Sequence, residues 1–255
     1  MEQLSSRQKS ILEAACKHGR VDVDKLSTRF SVSPQTIRKD LNELCKRQLL
    51  QRIHGGAIVG SGIENVSYEG RRVLAPEAKV AIGKRAAGMI PNNCSLLLNI
   101  GTTTEQVAHA LKSHRGLMVI SNNVNAVEIL RHSNGIELII SGGLVRKSDG
   151  GIVGDAAVDF INQFKADYAV IGVSAIDEYG SLLDYDFREV RVAKAIIANA
   201  RHIILVADRL KLSRTATVRL GHISQINTLV TDAPLPAKLQ KICAEHQVSI
   251  EIAPA

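Results

Sequence analysis

The sequence has 255 residues and no tryptophan, and its aromatic residues amount to only 3%. Since 45% of the chain is hydrophobic, any core it builds must be aliphatic. No apolar run approaches the roughly 20 residues that cross a bilayer as a helix. The N-terminal stretch is polar and lacks the apolar segment of a secretory signal, so a cytoplasmic location is expected. The cysteines Cys16, Cys45, Cys94 and Cys243 are scattered without a CxxC pair. That spacing argues against a disulfide framework or a metal cluster and for buried free thiols in a reducing compartment. A Walker A loop and a GxGxxG fingerprint are both missing, which excludes the two commonest glycine-rich nucleotide sites. There is no internal repeat and no low-complexity tract. No cofactor and no metal are expected. The length allows one small domain and one of medium size.

What is present is most distinctive at residues 31–41, SVSPQTIRKDL. Ser33 is a good N-cap and Pro34 suits the first helical position. Ile37, Leu41 and Leu44 then recur at helical spacing as a buried stripe. The opposite face carries Gln35, Arg38, Lys39, Asn42 and Lys46. Arg can pair with guanine, and Gln or Asn with adenine, in a major groove. An ordinary amphipathic helix would show a similar face, so the surroundings decide. Residues 7–17 read as a helix with Ile11, Leu12 and Ala15 inward. A short extended piece at 21–23 leads to a second helix with Leu26 and Phe30 as core positions. Residues 49–59 read as a β-hairpin with Gly55-Gly56 at its tip. Three helices and a hairpin make a winged helix-turn-helix, with Ser33, Gln35, Thr36, Arg38, Lys39, Asn42 and Lys46 toward DNA. Arg52 and His54 would reach phosphates or the minor groove. His54 has no Cys or His at ligand spacing, which argues against zinc.

Charge agrees. Residues 1–60 hold 11 Lys or Arg against 6 Asp or Glu, which is +5 of the chain's +7. The positive field is concentrated where the recognition pattern lies, as phosphate neutralisation requires.

Residues 59–76 read as a linker between a DNA-binding unit at 1–58 and a second unit at 77–255. A helix is expected over 77–89. Short aliphatic runs follow at 96–100, 117–120, 136–140, 168–173, 202–207 and 227–230, separated by helical patterns. Such runs indicate a doubly wound α/β domain with a parallel sheet covered on both faces. Several runs end in small or polar residues: 99–104, 121–123, 141–143 and 172–174. Ligands in open α/β sheets bind outside the carboxyl ends of the strands. The loop Asn99 to Thr104 has backbone N–H groups and three hydroxyls at a helix N-terminus, suited to an anion. A small phosphorylated metabolite fits it better than a nucleotide; a plain capped turn is the alternative for the loop taken alone.

The chain resembles the DeoR-type bacterial transcriptional repressors over nearly its whole length. The resemblance is carried by SVSPQTIRKDLNEL, RIHGGA, NIGTTTEQVAHAL, SNNVNA, SGGLVRKSDGGIVGDA, DFINQF, GVSAIDEYGSLLDYDFREVR and TDAP. It implies a winged helix joined to a sensor fold related to ribose-5-phosphate isomerase and CoA transferases. It also implies effector residues: Gly101, Thr102 and Thr103 in the phosphate loop, Ser121 and Asn122 in a second loop, and Gly142 and Gly143 in a third. Asp177, Glu189, Asp208 and Lys211 match polar positions near the family's pocket. Three positions depart from the pattern. Asn99 replaces the usual Asp, Ala193 the usual Lys four residues after Glu189, and Lys39 the usual second Arg of the recognition helix. Lys194 or Arg191 is expected to replace the cation lost at 193.

The sequence therefore points to a DNA-binding repressor that a ligand releases, with no catalytic residue. An isomerase-like enzyme is the rival, with Asp177, Asp184, Asp186 and Glu189 as possible bases. The expected partners are operator DNA, a phosphorylated effector and further copies of the chain, as a dimer or tetramer. Glycerol 3-phosphate is the foremost effector candidate and another sugar phosphate the alternative.

Overall fold

The computed structural model describes residues 4–47, 49–58 and 66–253, without the side chains of Cys16, Lys17 and Ser213. Helix α1 (Ser6–His18) starts on a reciprocal cap: the Ser5 hydroxyl accepts from Gln8 N at 3.2 Å, and Gln8 Oε1 accepts from Ser5 N at 3.0 Å. Strand β1 (Arg20–Asp22) leads into α2 (Val23–Phe30), which ends in left-handed backbone at Ser31. Helix α3 (Pro34–Lys46) opens with the Ser33 hydroxyl on Thr36 N at 3.2 Å. Strands β2 (Gln51–Ile53) and β3 (Gly56–Ile58) complete an antiparallel sheet in the order β1-β3-β2. The hairpin turn is His54-Gly55; Gly56, expected at the tip, is already paired with Ile53 and Asp22. It lies so close to β1 that a Cβ there would be 2.0 Å from the Val21 carbonyl oxygen.

Ile11, Leu12, Leu26, Ile37, Leu41 and Leu44 fill the core of this winged helix, and Phe30 packs at its margin. Val66 and Leu74 belong to the same core although they lie within the expected linker. That stretch is not all linker: it holds helix α4 (Tyr68–Val73), whose Ser67 hydroxyl caps Gly70 N at 3.2 Å. Residues 59–65 lie outside the described residues. The next helix, α5, spans Pro76–Ala87.

The rest alternates in chain order: β4 (Ser95–Leu98), α6 (Thr102–Leu111), β5 (Leu117–Ser121), α7 (Val124–Leu130) and β6 (Ile136–Ile140). A hairpin of β7 (Leu144–Val145) and β8 (Ile152–Val153) precedes α8 (Asp155–Ile161) and β9 (Ala166–Gly172). Then come β10 (Ala175–Ile176), β11 (Ser181–Asp184), α9 (Phe187–Ala198) and β12 (Ala200–Val206). A 3-10 turn (Arg209–Ser213), β13 (Val218–His222), β14 (Thr228–Thr231), α10 (Ala237–Glu245) and β15 (Ser249–Ile252) close the chain.

Among the described residues seven strands form one parallel sheet, in the order β15-β14-β12-β9-β4-β5-β6. Strand alternation splits its aliphatic side chains between two layers. Leu97, Ala169, Ile171 and Leu205 face α8, α9 and α10, whereas Leu96, Leu98, Val170 and Ile204 face α5, α6 and α7. All six expected strands are present in this sheet; β15, the β7–β8 hairpin and the small sheet β10-β11-β13 were not anticipated. Cys243 is buried as expected, but Cys45 and Cys94 are only half-buried, because each sits at the edge of a core. The order of strands reverses between β4 and β9, which puts the topological switch point, and the natural crevice, at their carboxyl ends.

Gly56→Ala should cost about 1–3 kcal/mol by forcing β1 and β3 apart. The check is the urea midpoint of the full chain. A midpoint equal to wild type would show that the wing tolerates the added methyl group.

Candidate functional site

Helix α3 displays the expected face. Gln35, Arg38, Lys39, Asn42 and Lys46 are exposed, while Ile37, Leu41 and Leu44 are wholly buried. Ser33 and Thr36 hold the helix start, their hydroxyls 2.9 Å apart. Asp40 is buried beneath the exposed face and binds Arg7 Nε at 2.6 Å, pinning α1 to α3. Arg52 is exposed on the wing but turned inward: its Nε donates to Asn42 Oδ1 at 3.3 Å, and it also donates to the Gly56 carbonyl. The wing is thus fastened to the recognition helix, with exposed His54 at its tip.

The second site lies at the switch point. Residues 100–104 enter from β4 and Gly172, Val173 and Ser174 from β9. Asp184, Glu189, Lys211, Asp149, Arg71 and Val206 complete the lining of this small cavity. A neighbouring cavity of about 180 Å³ shares Arg71, Asp149, Asp184 and Glu189 and adds Tyr68, Arg146, Ser148 and Asp186. Gly101 has φ 143°, a conformation open in practice to glycine, and so presents the first turn of α6 to the cavity. Thr104 Oγ1 donates back to Gly101 O at 2.8 Å. Thr102 and Thr103 are more than nine-tenths buried, line the cavity, and have no hydrogen-bond partner for their hydroxyls among the described residues. Unpaired hydroxyls lining a cavity beside a helix N-terminus are groups that an anion would satisfy.

The charges behind this loop form a network. Arg146 donates to Asp149 at 2.7 and 2.8 Å, to Asp186 at 2.9 Å and to Glu189 at 2.6 Å. Arg71 adds a bond to Asp149 at 3.0 Å. Burial pushes Asp184 above the ordinary carboxylate range; burial and the neighbouring Asp184 do the same to Glu189. Burial also pushes the Lys211 ammonium down to about 7, helped by the positive charge of Arg214. The backbone N of Lys211 donates to Asp208 O at 2.9 Å, while its ammonium makes no hydrogen bond or ion pair among the described residues.

Of the effector residues expected from the sequence, Gly101, Thr102, Thr103, Glu189 and Lys211 are brought together here. Asp208 lies beside them, lining a small recess with Arg71 and Lys211 while its carboxylate caps Leu210 N at 3.0 Å. The others do not line this cavity. Asn99 bonds Ile100 N at 2.8 Å, and Ser121 donates to Leu98 O at 2.7 Å. Asn122 donates to Ile152 O at 3.0 Å. Gly142 and Gly143 form the exposed turn before β7. Asp177 folds the turn between β10 and β11 by accepting from Tyr179 N and Ser181 N. Arg71, Arg146 and Asp149 were missed. Arg71 sat in a stretch read as linker, where Ser67 before an acidic first turn was the available helix signal.

A model of the DeoR-like helix-turn-helix domain matches residues 7–61, and one of the DeoR C-terminal sensor domain matches residues 74–233. The chain belongs to the DeoR family. It is 42% identical over 248 residues to the glycerol-3-phosphate regulon repressor of Escherichia coli strain K12, covering 97% of this chain and 98% of that protein. With the repressor of the same name from Haemophilus influenzae it shares 44% over 231 residues, 90% of each chain. The HTH-type transcriptional repressor CsqR of Escherichia coli is 37% identical, over 96% of this chain and 94% of that one. A ribose-5-phosphate isomerase solved with phospho-erythronic acid superposes on 54% of each chain with a TM-score of 0.41 and 19% identity, too distant to bear on fold or function.

The departures from the DeoR pattern can now be placed. Ala193 is fully buried in the core. Neither expected substitute reaches Glu189: Lys194 is exposed, and Arg191 is exposed and paired with Asp155. Both lie on the outer face of α9, and the cation at Glu189 comes from Arg146 on another loop.

If the cavity takes a phosphate dianion, Lys211 gains a partner and its bound-state pKa rises above about 7. Below that pH the ammonium is already charged and binding takes up no proton. Above it binding must supply one, so affinity falls as pH rises, by at most about tenfold per unit. Calorimetry with inorganic phosphate at pH 8, in two buffers of different ionisation enthalpy, should show proton uptake that Lys211→Met abolishes. Equal heats in the two buffers would remove Lys211 from the site.

Proposed function

We propose that this DeoR-family chain is a transcriptional repressor of genes for the use of glycerol or glycerol 3-phosphate, released from its operator by glycerol 3-phosphate. The observation that carries the ligand class is the pair of unpartnered hydroxyls of Thr102 and Thr103 at the α6 N-terminus, which line one cavity together with Lys211. A phosphate dianion satisfies hydroxyls, helix N–H groups and ammonium together. The cavity and its neighbour of about 180 Å³ are smaller than the 300–1,000 Å³ typical of drug-sized ligands, in keeping with a small polyol ester. The names of the relatives support glycerol 3-phosphate over hexose or pentose phosphates.

Repression follows from the exposed α3 face, with two copies of the chain placing two such helices in successive major grooves of a palindrome. Operator DNA puts the protein in the cytoplasm. The effector acts by binding the weakly DNA-binding arrangement more tightly. A catalytic role is disfavoured by the relatives, which are named as repressors. Of the four candidate bases, Asp177 and Asp186 are held below the ordinary carboxylate range, which leaves both poor bases.

Operator fragments selected from random DNA by the apo protein provide the test. Glycerol 3-phosphate should release them, and glycerol should not. Release by a hexose phosphate alone would replace the effector and keep the repressor. Thr102→Val should weaken release while apo affinity changes little; loss of apo binding would make the loop structural. Arg38→Ala should cost about 1–3 kcal/mol of operator affinity and relax one base position. Undiminished selectivity would remove Arg38 from base reading.

A further inference from the structure

Two places in this chain set a cavity residue next in sequence to a residue seated in the winged helix. The first is on α4. Gly70 is buried, and a Cβ there would lie 2.5 Å from Leu49 Cδ2 and 2.7 Å from Val66 Cγ1, both in the winged-helix core. Arg71, the next residue, lines both cavities and binds Asp149 at 3.0 Å. The second is on the 3-10 turn, where Leu210 packs against the winged-helix core and Lys211 lines the cavity. Around α4 the backbone is held tightly. The buried Lys79 donates to Leu74 O at 2.7 Å and to Arg71 O, and Tyr68 OH donates to Glu105 at 2.8 Å on α6.

We propose that Arg71 is the group through which the bound phosphate acts on the DNA-binding domain: the phosphate takes Arg71 from Asp149, and α4 carries the movement to the winged helix. The inference rests on the phosphate reading given above. The exchange is physically open because Asp149 keeps two bonds from Arg146 when Arg71 leaves, so no buried charge is stranded. A guanidinium binds a phosphate with two parallel hydrogen bonds. Arg71 instead gives one bond to Asp149 at 3.0 Å and one, from Nη1, to the Val66 carbonyl at 3.2 Å, so taking it up pulls on the winged-helix core at Val66 as well. Packed elements respond by shifting as units, so a change at Arg71 reaches Gly70 and the Leu49 contact. The chain thereby has a ligand contact on the very segment that joins the two domains.

The test measures operator affinity of the full chain with and without saturating glycerol 3-phosphate, saturation being judged by thermal shift. The ratio of the two affinities is the coupling, expected in wild type at about tenfold or more. Arg71→Gln should bring that ratio close to one, and Arg71→Lys should leave it intermediate. Gly70→Ala should keep the affinity for glycerol 3-phosphate in the absence of DNA within about twofold yet lower the coupling, since it disturbs only the far face of α4. Wild-type coupling in Arg71→Gln at saturation, or in Gly70→Ala, overturns the proposal. If Arg71→Gln binds no ligand at any concentration, Gly70→Ala decides with the same two outcomes. If wild type is released by no phosphate ester, the functional reading fails first and takes this inference with it; release in wild type and variants alike fails this inference alone.

Discussion

Arg146 is the interaction on which the sensor half depends. One guanidinium holds three carboxylates from two parts of the chain: Asp149 on its own loop, and Asp186 and Glu189 at the start of α9. Charges this buried are costly unless paired and hydrogen-bonded, and removing one partner of such a set typically costs several kcal/mol. The network therefore contributes position more than net stability. It fixes the β7–β8 loop against α9, sets Asp149 to receive Arg71, and so defines one wall of the cavity.

The remaining walls follow from an aliphatic α/β sheet. With no tryptophan and few aromatics, the two layers are built from Leu, Ile, Val and Ala, which alternate across thin, regular strands. The reversal of strand order between β4 and β9 lets two chain segments diverge at their carboxyl ends, and the cavity occupies the gap.

Much of this was legible in the sequence because it is written locally. Ser33-Pro34 and the Ile37, Leu41, Leu44 stripe specify α3, and uninterrupted aliphatic runs specify the central strands. The short antiparallel pieces escaped because β7, β8 and β10 are two residues each, too brief for a period to show. In the site, residues bound to their own loop and residues facing a ligand look alike in a string. Ser121, Asn122 and Asp177 turned out to tie down backbone, whereas Arg71 reaches Asp149 across 78 positions. The cation for Glu189 was sought on α9 itself, but Ala193 packs inward and Arg146 supplies the charge from 43 positions away. Long-range pairing of this kind leaves no periodic trace.

The packing of Leu210 on the winged-helix core also orders events on the ribosome. The recognition helix emerges early in synthesis, while Leu210, Lys211 and the strands beyond them emerge late. N-terminal domains generally fold as they appear. A nascent chain thus completes its winged helix before Leu210 arrives to pack on it, and before the cavity has its lysine. A chain that ends upstream of residue 210 carries the winged helix without the Leu210 contact and without Lys211.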